Sequence, residues 1–366
     1  MEPVPCAAVS CGWSPSAQQG NKMPVTIVDV ARRAAVGRGT VSRVLNDRPN
    51  VDPATRARVH AVIAELGFTP STVARRLSLG RSQTIGVVVP FLTRPSVVER
   101  LRGIEGALAD ASLDMIVFNV ETVARRDAVL RELTRRERID GLVLLSLAPR
   151  EEELARMRKA GLPIVLIDAH NRYLPRVVVD DDGGGFMAAR HLLELGHTRI
   201  GFVGDAPQPD FGFSSSRLRL RGAERALRSE GLAIPQEHVA LGEHSRSRAR
   251  ELAVDLLRGE RRPSALIAAS DTQALGILEA ATELGLRVPE DVAVIGYDDI
   301  EAADHLGLST IRQPLVETGR RAVARLLELI GGAPPSTLRE VLPAALVIRR
   351  TTVGYGSVSP PASASS

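Results

Sequence analysis

Thr26-Ile27-Val28-Asp29-Val30-Ala31-Arg32-Arg33-Ala34-Ala35-Val36-Gly37-Arg38-Gly39-Thr40-Val41-Ser42-Arg43-Val44-Leu45-Asn46 is the stretch whose pattern decides the N-terminal fold. Thr26 stands where a helix N-cap belongs, and Asp29 follows three residues later, the spacing of a capping box. Ile27, Val30, Ala31 and Ala34 then fall on one helical face. After Val36-Gly37 a second short helix is predicted, burying Val41, Val44 and Leu45 and exposing Arg38, Thr40, Ser42 and Arg43. Two short helices joined by a tight turn form a helix-turn-helix. A third helix follows, with Asp52 as N-cap, Pro53 in its first turn, an apolar stripe of Val59, Val62, Ile63 and Leu66, and Gly67 as terminator.

Charge concentrates on this module. Residues 23–83 hold ten arginines (32, 33, 38, 43, 48, 56, 58, 75, 76, 81) against Asp29, Asp47, Asp52 and Glu65, a net of +6 in a chain whose total is +4. A basic module on a near-neutral body is the footprint of a protein that meets nucleic-acid phosphates, or of a solvated basic face. The helix-turn-helix favours the first.

The strings TIVDVARRAAVGRGTVSRVLN (26–46) and VDPATRARVHAVIAELGFTPSTVARRLSLGRSQTIGVVVP (51–90) resemble the headpiece and hinge of the LacI/GalR family. T-x-x-D-V-A, T-V-S-R-V-L-N and P-x-x-x-A-R-x-L occur together at the family's spacing, and weaker similarity runs to about residue 353. The resemblance implies that Arg38, Gly39 and Arg43 occupy base-reading positions. It assigns Thr26, Thr40, Ser42, Asn46 and Asn50 to the DNA backbone. Gly39 has no side chain, so the second reading position is silent, and Gly37 replaces a usual serine. Ser71 to Leu77, including Ala74, resembles the hinge helix, with Leu77 the residue that wedges into the minor groove.

From Thr84 onward apolar runs alternate with amphipathic stretches. Buried parallel strands are expected at Ile85–Pro90, Met115–Phe118, Leu142–Leu145 and Ile164–Ile167, then near 199–204, 265–269 and 292–296. Helices are expected near 97–110, 123–137, 150–160, 185–195, 215–230, 246–258 and 272–285. Two α/β units follow, and the resemblance implies a periplasmic-binding-protein-like core of two α/β subdomains. It places crossings near 179, 312 and 338, with a ligand cleft at the strand ends. The expected organisation is a disordered extension (1–22), headpiece (23–69), hinge (70–82), effector-binding and dimerisation core (83–350) and disordered tail (351–366). Met23 stands as a candidate start of translation.

Candidate effector residues are Asp168 at a strand end, Arg219 in RLRLRG, Ser270 and Asp271 in AASDTQALG, and Asp298 in VIGYDD. A bare reading makes Asp271 and Asp298 caps of helices or turns. Ser96-Val97 and Gly242-Glu243-His244 stand where relatives carry aromatic clamps, so His244 and Phe91, with Phe213, become candidates in their place, and the ligand class stays open. Asp180-Asp181-Asp182 before Gly183-Gly184-Gly185 suggests a metal or phosphate loop, but no Walker lysine follows and a helix N-cap is the better reading. No catalytic motif sits in context, no cofactor is implied, and both cysteines (Cys6, Cys11) lie in the extension. No apolar run spans a membrane and no signal peptide opens the chain, which argues for the cytoplasm. The expected protein is a homodimeric repressor that binds double-stranded operator DNA under control of a small molecule. The rival is a free-standing sugar-binding protein or sugar-handling enzyme with an incidental basic N-terminus.

Overall fold

The computed structural model describes residues 25–68, 82–133, 139–208 and 210–353, and the chain divides into two compact units, Met1–Gly80 and Arg81–Ser366. In the first, α1 (Ile27–Arg33), α2 (Arg38–Leu45) and α3 (Pro53–Leu66) enclose a small core of Val30, Ala31, Ala34, Val41, Val44, Val59 and Val62. Asp29 accepts hydrogen bonds from the Thr26 backbone N–H at 3.0 Å and its hydroxyl at 2.7 Å, which fixes the start of α1. Asp52 caps α3 by accepting from the Thr55 N–H, and Gly67 ends it in the left-handed conformation at φ 61°. Ion pairing between Arg33 and Glu65, and the Arg58 Nε–H donated to the Ala34 carbonyl, tie α3 to α1 and the turn that follows it.

The second unit holds two six-stranded sheets. The proximal sheet runs, edge to edge, β11 (Arg339–Leu342), β5 (Arg176–Val179), β4 (Ile164–Ile167), β3 (Gly141–Leu145), β1 (Thr84–Pro90) and β2 (Asp114–Val120). The distal sheet runs β12 (Ala345–Val347), β10 (Ser309–Arg312), β9 (Ala293–Asp298), β8 (Ala265–Ala268), β6 (Ile200–Asp205) and β7 (Val239–Gly242). All paired strands are parallel except β12 (Ala345–Val347), which lies antiparallel to β10 (Ser309–Arg312). β1 (Thr84–Pro90), β3 (Gly141–Leu145) and β4 (Ile164–Ile167) are buried throughout, as their apolar runs require. β2 (Asp114–Val120) is not: it is an edge strand, and Ile116 is exposed. The helix expected near 123–137 begins at Val123 and is described to Glu132, and residues 134–138 lie outside the described residues.

The chain passes between the subdomains three times. It leaves the proximal sheet after β5 (Arg176–Val179), and returns after β10 into the helix Leu315–Ile330, which packs on the proximal strands. The third passage lies between β11 (Arg339–Leu342) and β12, near residue 343 and not near 338. The core also extends past the expected boundary at 350. The short helix Arg350–Val353 buries Thr351 and Thr352, whose hydroxyls bond to the Ser309 N–H and to His191 Nε2. Residues 1–24, 69–81 and 354–366, which hold the expected extension, hinge and remaining tail, lie outside the described residues.

The Asp-Gly run resolves as packing. Asp180 N-caps the helix Asp181–Glu194 by accepting from the Gly183 N–H at 3.0 Å. A methyl on Gly185 would stand 1.9 Å from the Arg219 carbonyl oxygen, and one on Gly222 1.9 Å from that of Asp182. The two glycines let this helix and Ser215–Ser229 touch backbone to backbone. Gly185→Ala is therefore expected to destabilise the core by at least the ~1–3 kcal/mol typical of overpacking. Gly106→Ala, on a helix face with nothing within 4 Å, is the control. Equal thermal midpoints for both variants would rule out the close crossing.

Candidate functional site

In the headpiece, α2 presents Arg38, Gly39 and Arg43 to solvent, and Arg48 lies just beyond it. Arg38, Arg43 and Arg48 make no ion pair among the described residues, whereas Arg33 and Arg56 are held by Glu65 and Asp47. Thr40 and Ser42 are half-buried rather than exposed, because they flank Val41 on a helix only eight residues long. Asn46 closes that helix, its side-chain amide donating to the Ser42 carbonyl at 2.9 Å. Thr26 and Asn50 are exposed. No atom lies within 4 Å of a side chain added at Gly39, so packing does not demand glycine there. Ser71, Ala74 and Leu77 fall outside the described residues.

In the core, parallel strands bring their carboxyl ends to a common edge, and a cavity of about 320 Å³ lies there between the subdomains. The proximal wall carries Arg94, Arg100, Ser146 and Asp168; the distal wall carries Asp205, Phe213, Arg219, His244, Ser270 and Asp298. Ser146, Asp168 and Asp298, each at or just past a strand end, have φ of 52°, 48° and 120°. Three non-glycine residues held at positive φ around one cavity are backbone strain concentrated at a site.

A chain of buried polar contacts crosses this space. Arg100 is ion-paired with Asp168 and donates to the Gln313 side-chain oxygen at 3.1 Å. Gln313 in turn donates to Asp298 at 2.5 Å. Asp298 lies 4.0 Å from Arg219, which donates to Asp181 at 2.8 Å and to the Ala269 carbonyl at 2.5 Å, and sits 3.6 Å over the Tyr297 ring. Burial pushes the Asp181 and Asp298 carboxyls above the ordinary range despite the neighbouring arginines. Burial also acts on Asp205, but the hydrogen bond from His244 and the charges of His244 and Arg94 hold its carboxyl below that range.

The expected residues Asp168, Arg219, His244, Ser270 and Asp298 thus line the cavity, and two others do not. Asp271 is fully buried as the first residue of a helix. Its carboxylate accepts from the Ile300 N–H at 2.9 Å and the Thr310 hydroxyl at 2.6 Å, fastening the loop after β9 and strand β10, while Ser270 is the cap. Phe91 stands behind the cavity in an aromatic group with Phe211 and Phe213, and of the three only Phe213 contributes to the lining. Arg94, Arg100, Asp205 and Gln313 carried no sequence motif, and Asp181 belonged to the Asp-Gly run that was read as a helix start and not as part of the cleft.

Burial, together with the charge of Asp298, raises the Asp271 carboxyl to about 8. An acid whose folded pKa exceeds its unfolded one binds its proton more tightly when folded. It therefore costs stability as pH climbs from the ordinary carboxylate range to about 8, and no more above that. Asp271→Asn is expected to flatten the fall of the unfolding midpoint between pH 6 and 8. An unchanged pH profile would refute the assignment.

Residues 26–71 match the family of bacterial regulatory proteins named lacI, and residues 189–352 match the periplasmic binding protein-like domain. The catabolite control protein A of Priestia megaterium is 30% identical over 335 residues, covering 90% of this chain and all of the relative. The ribose operon repressor of Escherichia coli (strain K12) is 33% identical over 310 residues, 83% of this chain and 93% of the relative. Among solved structures, a lac repressor dimer bound to operator and the anti-inducer ONPF aligns at a TM-score of 0.79 with 29% identity, over 90% of this chain and 99% of that one.

Proposed function

The chain belongs to the LacI family of bacterial regulatory proteins, and from that premise we propose that it is a homodimeric transcriptional repressor whose grip on double-stranded operator DNA is set by a small molecule in the cleft. The observation that carries the ligand-controlled part is the polar chain Arg100–Gln313–Asp298–Arg219, which joins both subdomains beside a cavity of ligand size. A molecule that competes for those contacts binds one arrangement of the subdomains better than the other, which is what shifts an equilibrium. The rival reading as a free-standing binding protein leaves the unpaired Arg38, Arg43 and Arg48 of a folded helix-turn-helix without a purpose. The relatives named above are regulators by name, and we assign the chain no catalysis and no cofactor.

On this reading the domains are a headpiece (23–69), a hinge (70–82) and a core running to Val353. The α2 helix enters the major groove, Arg38 and Arg43 read bases, and Thr26, Thr40, Ser42, Asn46 and Asn50 face the DNA backbone. Ser71, Ala74 and Leu77 act at the minor groove between half-sites. A partner of this kind places the protein in the cytoplasm. Fluorescence-anisotropy titration of operator DNA, with and without each member of a carbohydrate and nucleobase panel, tests the proposal. Operator affinity that no cleft-binding compound alters would overturn it.

For the readers, Arg38→Ala or Arg43→Ala is expected to cost about 1–3 kcal/mol at one base pair per half-site while preference elsewhere survives. Equal weakening on every sequence would make that arginine a phosphate contact instead.

A further inference from the structure

Charge in the cavity is paired almost everywhere. Asp168 is matched by Arg100 and Asp181 by Arg219. Asp205 takes His244 and the Gln273 amide, and Asp298 takes Gln313. Arg94 is the exception on the proximal wall. It is half-buried and lines the cavity, and its guanidinium makes no hydrogen bond and no ion pair among the described residues. Its guanidinium lies 4.2 Å over the Phe91 ring and 5.8 Å from that of Phe213. Stacking holds the plane of the group without spending any of its five N–H donors. Arg217 also borders the cavity, but it is exposed to solvent.

Three further observations bear on what Arg94 meets. The Nε–H of Arg100, on the same wall and 4% exposed, also has no partner among the described residues. The aromatic rings are already engaged on one face each: Arg94 covers Phe91, which stands behind the lining, and Phe213 stacks on Phe211 at 5.2 Å. The distal wall offers Asp205, Ser270 and Asp298, acceptors suited to hydroxyl groups. A partly desolvated guanidinium is unfavourable until an anion supplies the missing hydrogen bonds, and its fork matches the two oxygens of a carboxylate or phosphate.

We infer that the molecule taken by this cleft is a hydroxyl-bearing anion of monosaccharide size, whose carboxylate or phosphate is held by Arg94 while its hydroxyls face the distal wall. The inference rests on the reading of the cleft as the effector site. The cavity of about 320 Å³ lies at the small end of ligand sites, which favours one sugar-sized unit over an oligomer.

The test uses the full chain at fixed ionic strength, with thermal shift and calorimetry against inorganic phosphate, D-glucose, D-gluconate and D-glucose 6-phosphate. Phosphate should stabilise the protein saturably beyond chloride, and Arg94→Gln should weaken that binding at least tenfold. Arg48→Gln in the headpiece and Arg217→Gln at the rim should leave it intact, separating the cleft from other basic surface. At least one of gluconate and glucose 6-phosphate should bind at least tenfold tighter than glucose, and which of them does so identifies the anion.

Phosphate and both sugar anions acting no better than chloride, or Arg94→Gln binding like wild type, would overturn the inference. So would a fall in stability of Arg94→Gln without any anion, which would make Arg94 a contact to Asp205 or Asp298 on closure. A neutral sugar that changes operator affinity with no role for Arg94 would sink this inference and leave the effector site standing. Anion capture by Arg94 with no ligand affecting operator binding would do the reverse.

Discussion

Arg219→Ala is expected to lower the stability of the core by about 3–5 kcal/mol, the cost of removing one partner from a buried ion pair. Arg219 is 7% exposed, and its guanidinium satisfies Asp181 and the Ala269 carbonyl while covering the face of Tyr297. Alanine would leave Asp181 buried without its counter-charge, beside the negative charge of Asp168 and beside Tyr297, whose ionised form burial disfavours. At ~2–4 °C per kcal/mol for a domain of this size, the unfolding midpoint should drop by roughly 6–20 °C. The double variant Arg219→Ala/Asp181→Ala should recover part of the loss, because it removes the stranded charge as well. A single variant that melts within a degree of wild type would show that the pair contributes nothing and that Arg219 is free to serve the ligand alone.

Asp298→Asn should do the opposite, keeping the fold and silencing the response. Asparagine still offers an oxygen to the Gln313 amide, tolerates the φ of 120°, and replaces a carboxyl whose ionised form burial already disfavours. Stability is expected to stay within about 1 kcal/mol of wild type. The ligand's effect on operator affinity, typically ~5- to 150-fold in coupled systems, should be lost because the link between the distal wall and Gln313 no longer discriminates the liganded state. Anisotropy titrations of operator with and without the effector decide it. A retained wild-type response would place the sensing contacts elsewhere than Asp298.

These two variants differ in outcome for a reason that no motif contains. Both residues were singled out as ligand groups from their positions in RLRLRG and VIGYDD. Only the structure distinguishes Arg219, whose charge is consumed by Asp181 from the neighbouring helix, from Asp298, whose main partner is a neutral amide. Asp271 teaches the same lesson. It follows a strand whose end reaches the cleft, but as the first residue of its helix it turns beneath β9 and β10 and holds Ile300 and Thr310.

What the sequence by itself determined is what depends on near neighbours. The Thr26–Asp29 cap, the Asp52–Pro53 start and Gly67 stop of the third helix, and the apolar faces of α1 to α3 follow local pattern. The three helices of the headpiece were readable, though not the partial burial of Thr40 and Ser42. Most strands of the core were readable for the same reason, but an apolar run does not report where in a sheet its strand lies, so the edge position and exposed Ile116 of β2 were not. Tertiary structure alone decided the site. Arg100 and Gln313 are 213 residues apart, and they meet because the chain crosses back after β10, bringing the helix that follows it onto the proximal subdomain. The Gly183–Gly185 run gained its meaning only from a second helix pressed against it, and Arg94 stands out only because the buried charges of the cavity found partners. Pairing of this kind is set by which strand ends the crossovers bring together, and local pattern carries no record of that.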